Sequence, residues 1–99
     1  MAAGSPITVA ASASLRAQIR TWIIEALAEV RAMTVDALTA EIEAAGEEFE
    51  IDSKEAEVVL CILEYRLDQE LARPEDLRPE QLTTLGSLTD LVARRYVRP

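Results

Sequence analysis

Apolar residues recur every three or four positions at Leu15, Ile19, Trp22, Ile23, Ala26, Leu27 and Val30, while Arg16, Arg20, Glu25 and Glu29 take the other face. With Ser14 as a cap, this spacing predicts an amphipathic helix over 14–32. A second stripe, Ala56, Val59, Leu60, Leu63 and Leu67, predicts a helix from Ser53 to about Glu70. Its start is marked by Asp52 at the cap position and Glu55 three residues later, the spacing of a capping box. A third stripe, Leu85, Leu88, Leu91, Val92 and Tyr96, predicts a last helix after Thr83 or Thr84, ending in arginines that suit the negative pole of the helix dipole. Pro74 and Pro79 break the chain between these two helices, where PEQL can form one short helical turn and Leu77 and Leu82 can plug the core.

Two segments read less simply. In TVDALTAEIEAAG, Ala, Leu and Glu favour a short helix ending at Gly46, whereas Thr34, Asp36 and Gly46 punctuate it. Residues 1–13 are small and polar, contain Gly4 and Pro6, and carry little apolar surface to offset the entropy of ordering. They are expected to be a flexible leader to a single domain over 14–99.

Composition agrees with an all-α bundle around one core. The chain has 99 residues, 49% of them hydrophobic but only 4% aromatic, and its Leu, Ala and Glu content suits helices. No apolar stretch reaches membrane-spanning length, and the N-terminus lacks the basic start and apolar run of a signal peptide, so a cytoplasmic location without a membrane partner is expected. A net charge of −8 disfavours nucleic acid and favours partners with basic surfaces. Nothing in the pattern demands more than a monomer. Histidine is absent and Cys61 is the only cysteine, so Ser-His-Asp and Cys-His sites and typical zinc sites cannot be built. Paired carboxylates remain, but acids this numerous give no specific signal for catalysis, and the chain is read as a non-enzyme with no metal site.

Ser53 is the candidate for chemistry. A phosphate ester there would lie against unpaired N–H groups at a helix start, where a negative group gains roughly 0.3–1 kcal/mol. A serine in the first turn is also explained by helix initiation alone, and residue chemistry leaves both readings open. Cys61, in mid-helix, is expected to be a small core residue. Val58, Ile62 and Tyr65 form a further apolar row on the same helix, with burial as the expected explanation and contact with a partner as the alternative.

The segments IDSKEAEVVLCILEYRLDQEL and LTTLGSLTDLVARR resemble, in the right order, the D-S motif and acidic second helix, and the short third element and last helix, of the acyl carrier protein family. The separation of the first helix from Ser53 is similar too, so the resemblance covers nearly everything after the leader. It implies a four-helix bundle with three main helices, a short third helix and a long first loop, in which residues 34–48 are mostly loop with a short turn around Asp36 to Ala44. It implies that Ser53 carries 4′-phosphopantetheine as a phosphodiester and that Asp52 caps the helix and helps a phosphopantetheinyl transferase recognise the site. The arm's terminal thiol would hold acyl groups as thioesters for separate ketosynthase-, acyltransferase- or other acyl-processing enzymes. Between Glu47 and Glu57 six carboxylates face Lys54 alone, a patch suited to basic docking surfaces, and Lys54, Glu55, Glu57, Glu64 and Asp68 become the docking candidates.

The chain departs from the family pattern at two places. Lys54 stands where an exposed aliphatic usually follows the serine, and Glu50 where a glycine usually lies two residues before the aspartate. These departures point away from a housekeeping fatty-acid carrier and towards a specialised carrier of polyketide or related secondary metabolism with a dedicated transferase. The rival readings are an unmodified carrier-like interaction module, which Lys54 favours, and a small helical DNA-binding domain, which the charge disfavours.

Overall fold

The computed structural model describes residues 4–71 and 84–97, with 4–13 as backbone only. Among the described residues it is an all-helical bundle of four helices: α1 (Gly4–Arg31), α2 (Val35–Ala45), α3 (Ser53–Leu67) and α4 (Leu85–Arg95). A 3₁₀ turn, Gly46–Glu48, follows α2, and Glu50 forms an isolated antiparallel bridge with Thr84. The expected short helix around PEQL, with Pro74, Pro79, Leu77 and Leu82, lies outside the described residues.

α1 packs against each of the other three helices. The stripe expected for it supplies Ile19, Ile23, Ala26 and Leu27 as fully buried side chains, with Leu15, Trp22 and Val30 at the margin. Ala56, Val59, Leu60 and Leu63 of α3 and Leu85, Leu88, Leu91 and Val92 of α4 meet them, and Leu38 and Ile42 of α2 close the side. Each Leu or Ile so covered contributes about 1.5–3 kcal/mol, so these stripes and not intrinsic propensity hold the helices in place. Leu71, just beyond α3, is also fully buried, a core residue that no helical stripe announces. Tyr96 lies edge-on to Trp22, ring centroids 5.5 Å apart, and ties the end of α4 to α1.

Several expectations are corrected. α1 begins at Gly4, ten residues before the Ser14 cap, so most of the expected leader is helical backbone. Pro6 is its third residue, where the missing N–H costs no intrahelical bond, and the alanines that follow are strong helix formers. The long first loop is largely α2, as local propensity indicated against the family pattern. Thr34 caps it by accepting from the Ala37 N–H at 3.1 Å, and Gly46 ends it with φ +75° and ψ −156°, a conformation almost reserved for glycine.

Cys61 is exposed and not in the core, and Val58 and Tyr65 are exposed as well, Tyr65 at 89%. At 100° per residue these three stand about half a turn from the Ala56–Val59–Leu60–Leu63 face that α1 covers, whereas Ile62, closer to that face, packs partly against the core. Of the further apolar row of α3, Val58 and Tyr65 thus lie outside and Ile62 does not.

Candidate functional site

The segment before Ser53 is extended, and its side chains alternate. Phe49 and Ile51 point into the core, while Glu50 and Asp52 remain exposed. The Phe49 carbonyl accepts from the Leu85 N–H at 2.9 Å, so this strand-like stretch is pinned to the start of α4. α4 is capped there by Thr84, whose hydroxyl accepts from the Ser87 N–H at 3.1 Å.

α3 then opens with the capping box expected from the sequence. The Asp52 carboxylate accepts from the Lys54 N–H at 2.7 Å, and Glu55 Oε1 accepts from the Asp52 N–H at 3.1 Å. Ser53 is the first residue of the helix and is exposed, and among the described residues its hydroxyl has no hydrogen-bond partner. A nucleophilic oxygen therefore stands open to solvent beside first-turn N–H groups.

A residue that sequence reasoning missed completes the site. Arg31, the last residue of α1, donates from Nε to Glu55 Oε2 at 2.9 Å and from a terminal nitrogen to Glu55 Oε1 at 3.0 Å. The same nitrogen reaches the Glu50 carbonyl at 3.4 Å, and the guanidinium lies over the buried Phe49 ring, 5.1 Å from its centroid. Hydrogen bonding from Arg31 holds the Glu55 carboxyl below the ordinary glutamate range against the opposing effect of burial, with the Asp52 N–H adding to the lowering. In return, hydrogen bonding to Glu55 raises the pKa of Arg31. No local signal marks this arginine, because its partner lies 24 residues away and only the fold joins them.

Arg31, Glu48, Glu50, Ile51, Asp52, Glu55 and Thr84 line a cleft of about 640 Å³ at the capping box, which Ser53 itself does not line. Its rim is acidic, which suits a cationic or neutral visitor better than an anion. Among the described residues no group of three or more His, Cys, Asp or Glu is arranged to hold a metal ion, and no helix is long and apolar enough to cross a membrane.

The docking candidates separate into two sets. Lys54, Glu57 and Asp68 are exposed, with Lys54 on the outward face of α3 that carries Val58, Cys61 and Tyr65, Glu57 along one flank, and Asp68 just past the helix end in a left-handed conformation. Glu55 turns instead to the opposite flank, towards α1, where both its oxygens are engaged. Glu64 is partly buried, and its carboxylate accepts from the Leu71 N–H at 2.9 Å, helping to fasten the chain after α3. The acidic patch is also less charged than its composition suggests, because Glu47 is met by Arg16 at 3.6 Å and Arg20 at 3.5 Å from α1. No known family model, curated protein or solved structure matches the chain.

Proposed function

We propose that the chain is an acyl carrier protein that holds acyl groups as thioesters on a 4′-phosphopantetheine arm attached to Ser53. The observation that supports this best is the exposed hydroxyl of Ser53, without a partner among the described residues, as the first residue of α3 directly after the Asp52 cap. In the attachment step Ser53 Oγ would bond to the pantetheine-side phosphorus of the coenzyme A pyrophosphate. The pyrophosphate bond breaks, the adenosine bisphosphate leaves, and the hydroxyl proton passes to a base of the transferase. The resulting phosphodiester carries one negative charge, which first-turn N–H groups favour. The acyl chemistry would then belong to partner enzymes, in polyketide or related specialised metabolism, and not to this chain.

The outward face of α3 offers partners an apolar row, Val58, Cys61 and Tyr65, flanked by Glu57, with Asp68 exposed at the helix end. A basic docking surface with an apolar centre complements it, and the exposed carboxylates would accelerate encounter. Lys54, exposed beside Ser53, adds a cation that a general-purpose transferase would have to tolerate. It also favours a second reading, an unmodified module that binds proteins through the same face.

The test is the intact mass after incubation with coenzyme A, magnesium and a broad-specificity phosphopantetheinyl transferase, beside a Ser53→Ala control. A gain of one phosphopantetheine by the native chain alone is expected. A gain only in Lys54→Leu would identify a carrier reserved for a dedicated transferase. No gain in either chain would leave the interaction module as the reading to keep.

A further inference from the structure

We propose that Arg31 is a positioning residue for the modification of Ser53: its fork on Glu55 fixes the capping box and so holds the Ser53 hydroxyl where a transferase can use it. The inference rests on the carrier reading and concerns how that site is kept ready.

Glu55 occupies both ends of the argument. Its Oε1 accepts from the Asp52 N–H at 3.1 Å, on the N-terminal side of Ser53, while the Asp52 carboxylate accepts from the Lys54 N–H on the other side. Ser53 is thus the residue that the box encloses. A glutamate in the first turn of a surface helix ordinarily samples several rotamers, and the box opens whenever it leaves the inward one. Here the guanidinium takes both carboxylate oxygens, at 2.9 and 3.0 Å, and this planar two-point pairing admits one orientation.

Arg31 is itself held. It ends α1, and its guanidinium lies on the Phe49 ring, which is only 8% exposed. The Arg31 and Glu55 side chains retain 23% and 24% of their exposure, against 44% and 55% for Arg66 and Glu29, an ion pair on the surface between α3 and α1. Solvent screens the first pair less, so it keeps a defined geometry where the second mainly adds charge attraction. Phe49 also reaches α4 through its carbonyl, so α1, α4 and the start of α3 converge on the four residues before Ser53, Phe49 to Asp52.

A mere staple between α1 and α3 would affect stability alone. A positioning group alters the kinetics of transfer in protein that is still folded, and it is sensitive to the shape of the cation as well as its charge. Lysine keeps the charge of Arg31 but cannot make the paired bonds.

The decisive experiment is phosphopantetheine transfer at a temperature well below melting, comparing the native chain with Arg31→Lys, Arg31→Met and a surface control, Arg66→Met. Amide hydrogen exchange at Lys54, Glu55 and Ala56 is followed in the same proteins. Both Arg31 variants are expected to lose about tenfold or more in kcat/KM, as misplaced reacting groups do, with faster exchange at the three amides. Arg66→Met is expected to behave as the native chain. The Lys54→Leu background serves if only that chain is modified. Native kinetics in both Arg31 variants, or recovery of native kinetics by Arg31→Lys, would overturn the inference while leaving the carrier reading intact. Absence of transfer to the native and Lys54→Leu chains alike would overturn the carrier reading and the inference together.

Discussion

Asp52 and Ser53 are neighbours whose side chains carry different weight in the fold. Asp52→Ala leaves the Lys54 N–H without its acceptor and is expected to cost about 1 kcal/mol, or a fall of roughly 4–8 °C in melting temperature for a domain of this size. Ser53→Ala removes an exposed hydroxyl that has no partner among the described residues and is expected to stay within about 0.5 kcal/mol of the native chain. Thermal unfolding of the two variants checks the contrast, and a large loss in Ser53→Ala would assign the serine a structural task. Glu55 adds a dependence on pH. Its folded pKa is depressed, chiefly by hydrogen bonding from Arg31, so its contribution is fully present above the unfolded value and is lost as pH falls through the folded one. Glu55→Gln, which keeps an acceptor for the Asp52 N–H, is therefore expected to be less stable than the native chain at neutral pH. The gap should narrow only below the ordinary glutamate range, as denaturant titrations at a series of pH values would record. A gap independent of pH would remove the ion pair from the account. The capping box could be read from the sequence because it is complete within four residues. Arg31 could not, since a cation at the end of one helix names no partner on another.

α2 shows how local and family-level reasoning diverge. Its alanines, leucine and glutamates, between the Thr34 cap and Gly46, indicated a helix, and a helix forms there. The loop implied by the resemblance gave way because Leu38 and Ile42 bury fully against the bundle. Gly46 joins α2 to the 3₁₀ turn in a conformation closed to other residues, although a Cβ there would meet nothing within 4 Å. Gly46→Ala is thus a test of backbone strain alone, with an expected loss of about 1–3 kcal/mol in denaturant unfolding. An unchanged stability would mean that the turn relaxes at no cost. α3 makes the converse point. Its apolar positions cover a wide arc, and only the packing of α1 decides that Ala56, Val59, Leu60 and Leu63 go inside. Cys61 on the other side is expected to react with a maleimide in the native state as fast as a free thiol in a peptide. Strong protection would place it under a neighbouring surface.

The bundle as a whole distributes its charge in a way composition could not show. Arg16 bridges Asp90 of α4 at 2.8 Å as well as Glu47, and Arg66 pairs with Glu29, so much of the acid near the helix junctions is answered from within. Hydrogen bonding to Asp90 is the main reason the pKa of Arg16 is raised. What remains outward on α3 and at its end, Glu57 and Asp68, is the acidic field that a partner would meet under the proposed function. Beyond a Debye length of about 8 Å at physiological ionic strength that field is screened. On the proposed carrier function, the KM for the chain in the transferase reaction should accordingly rise with salt, and Glu57→Gln should flatten the dependence. A KM indifferent to salt would assign recognition to the apolar row alone. The three helical stripes and the single core were legible because periodicity reports burial directly. The junctions were not, because pairings such as Arg16 with Asp90 depend on how helices cross. One such junction carries its own optical reporter: Trp22 is the chain's only tryptophan, and Tyr96 stands edge-on to it at 5.5 Å. Light absorbed by Tyr96 can reach Trp22 while α4 lies on α1 and is lost to it when they part. Separation of these two helices can thus be followed by fluorescence in the unlabelled protein.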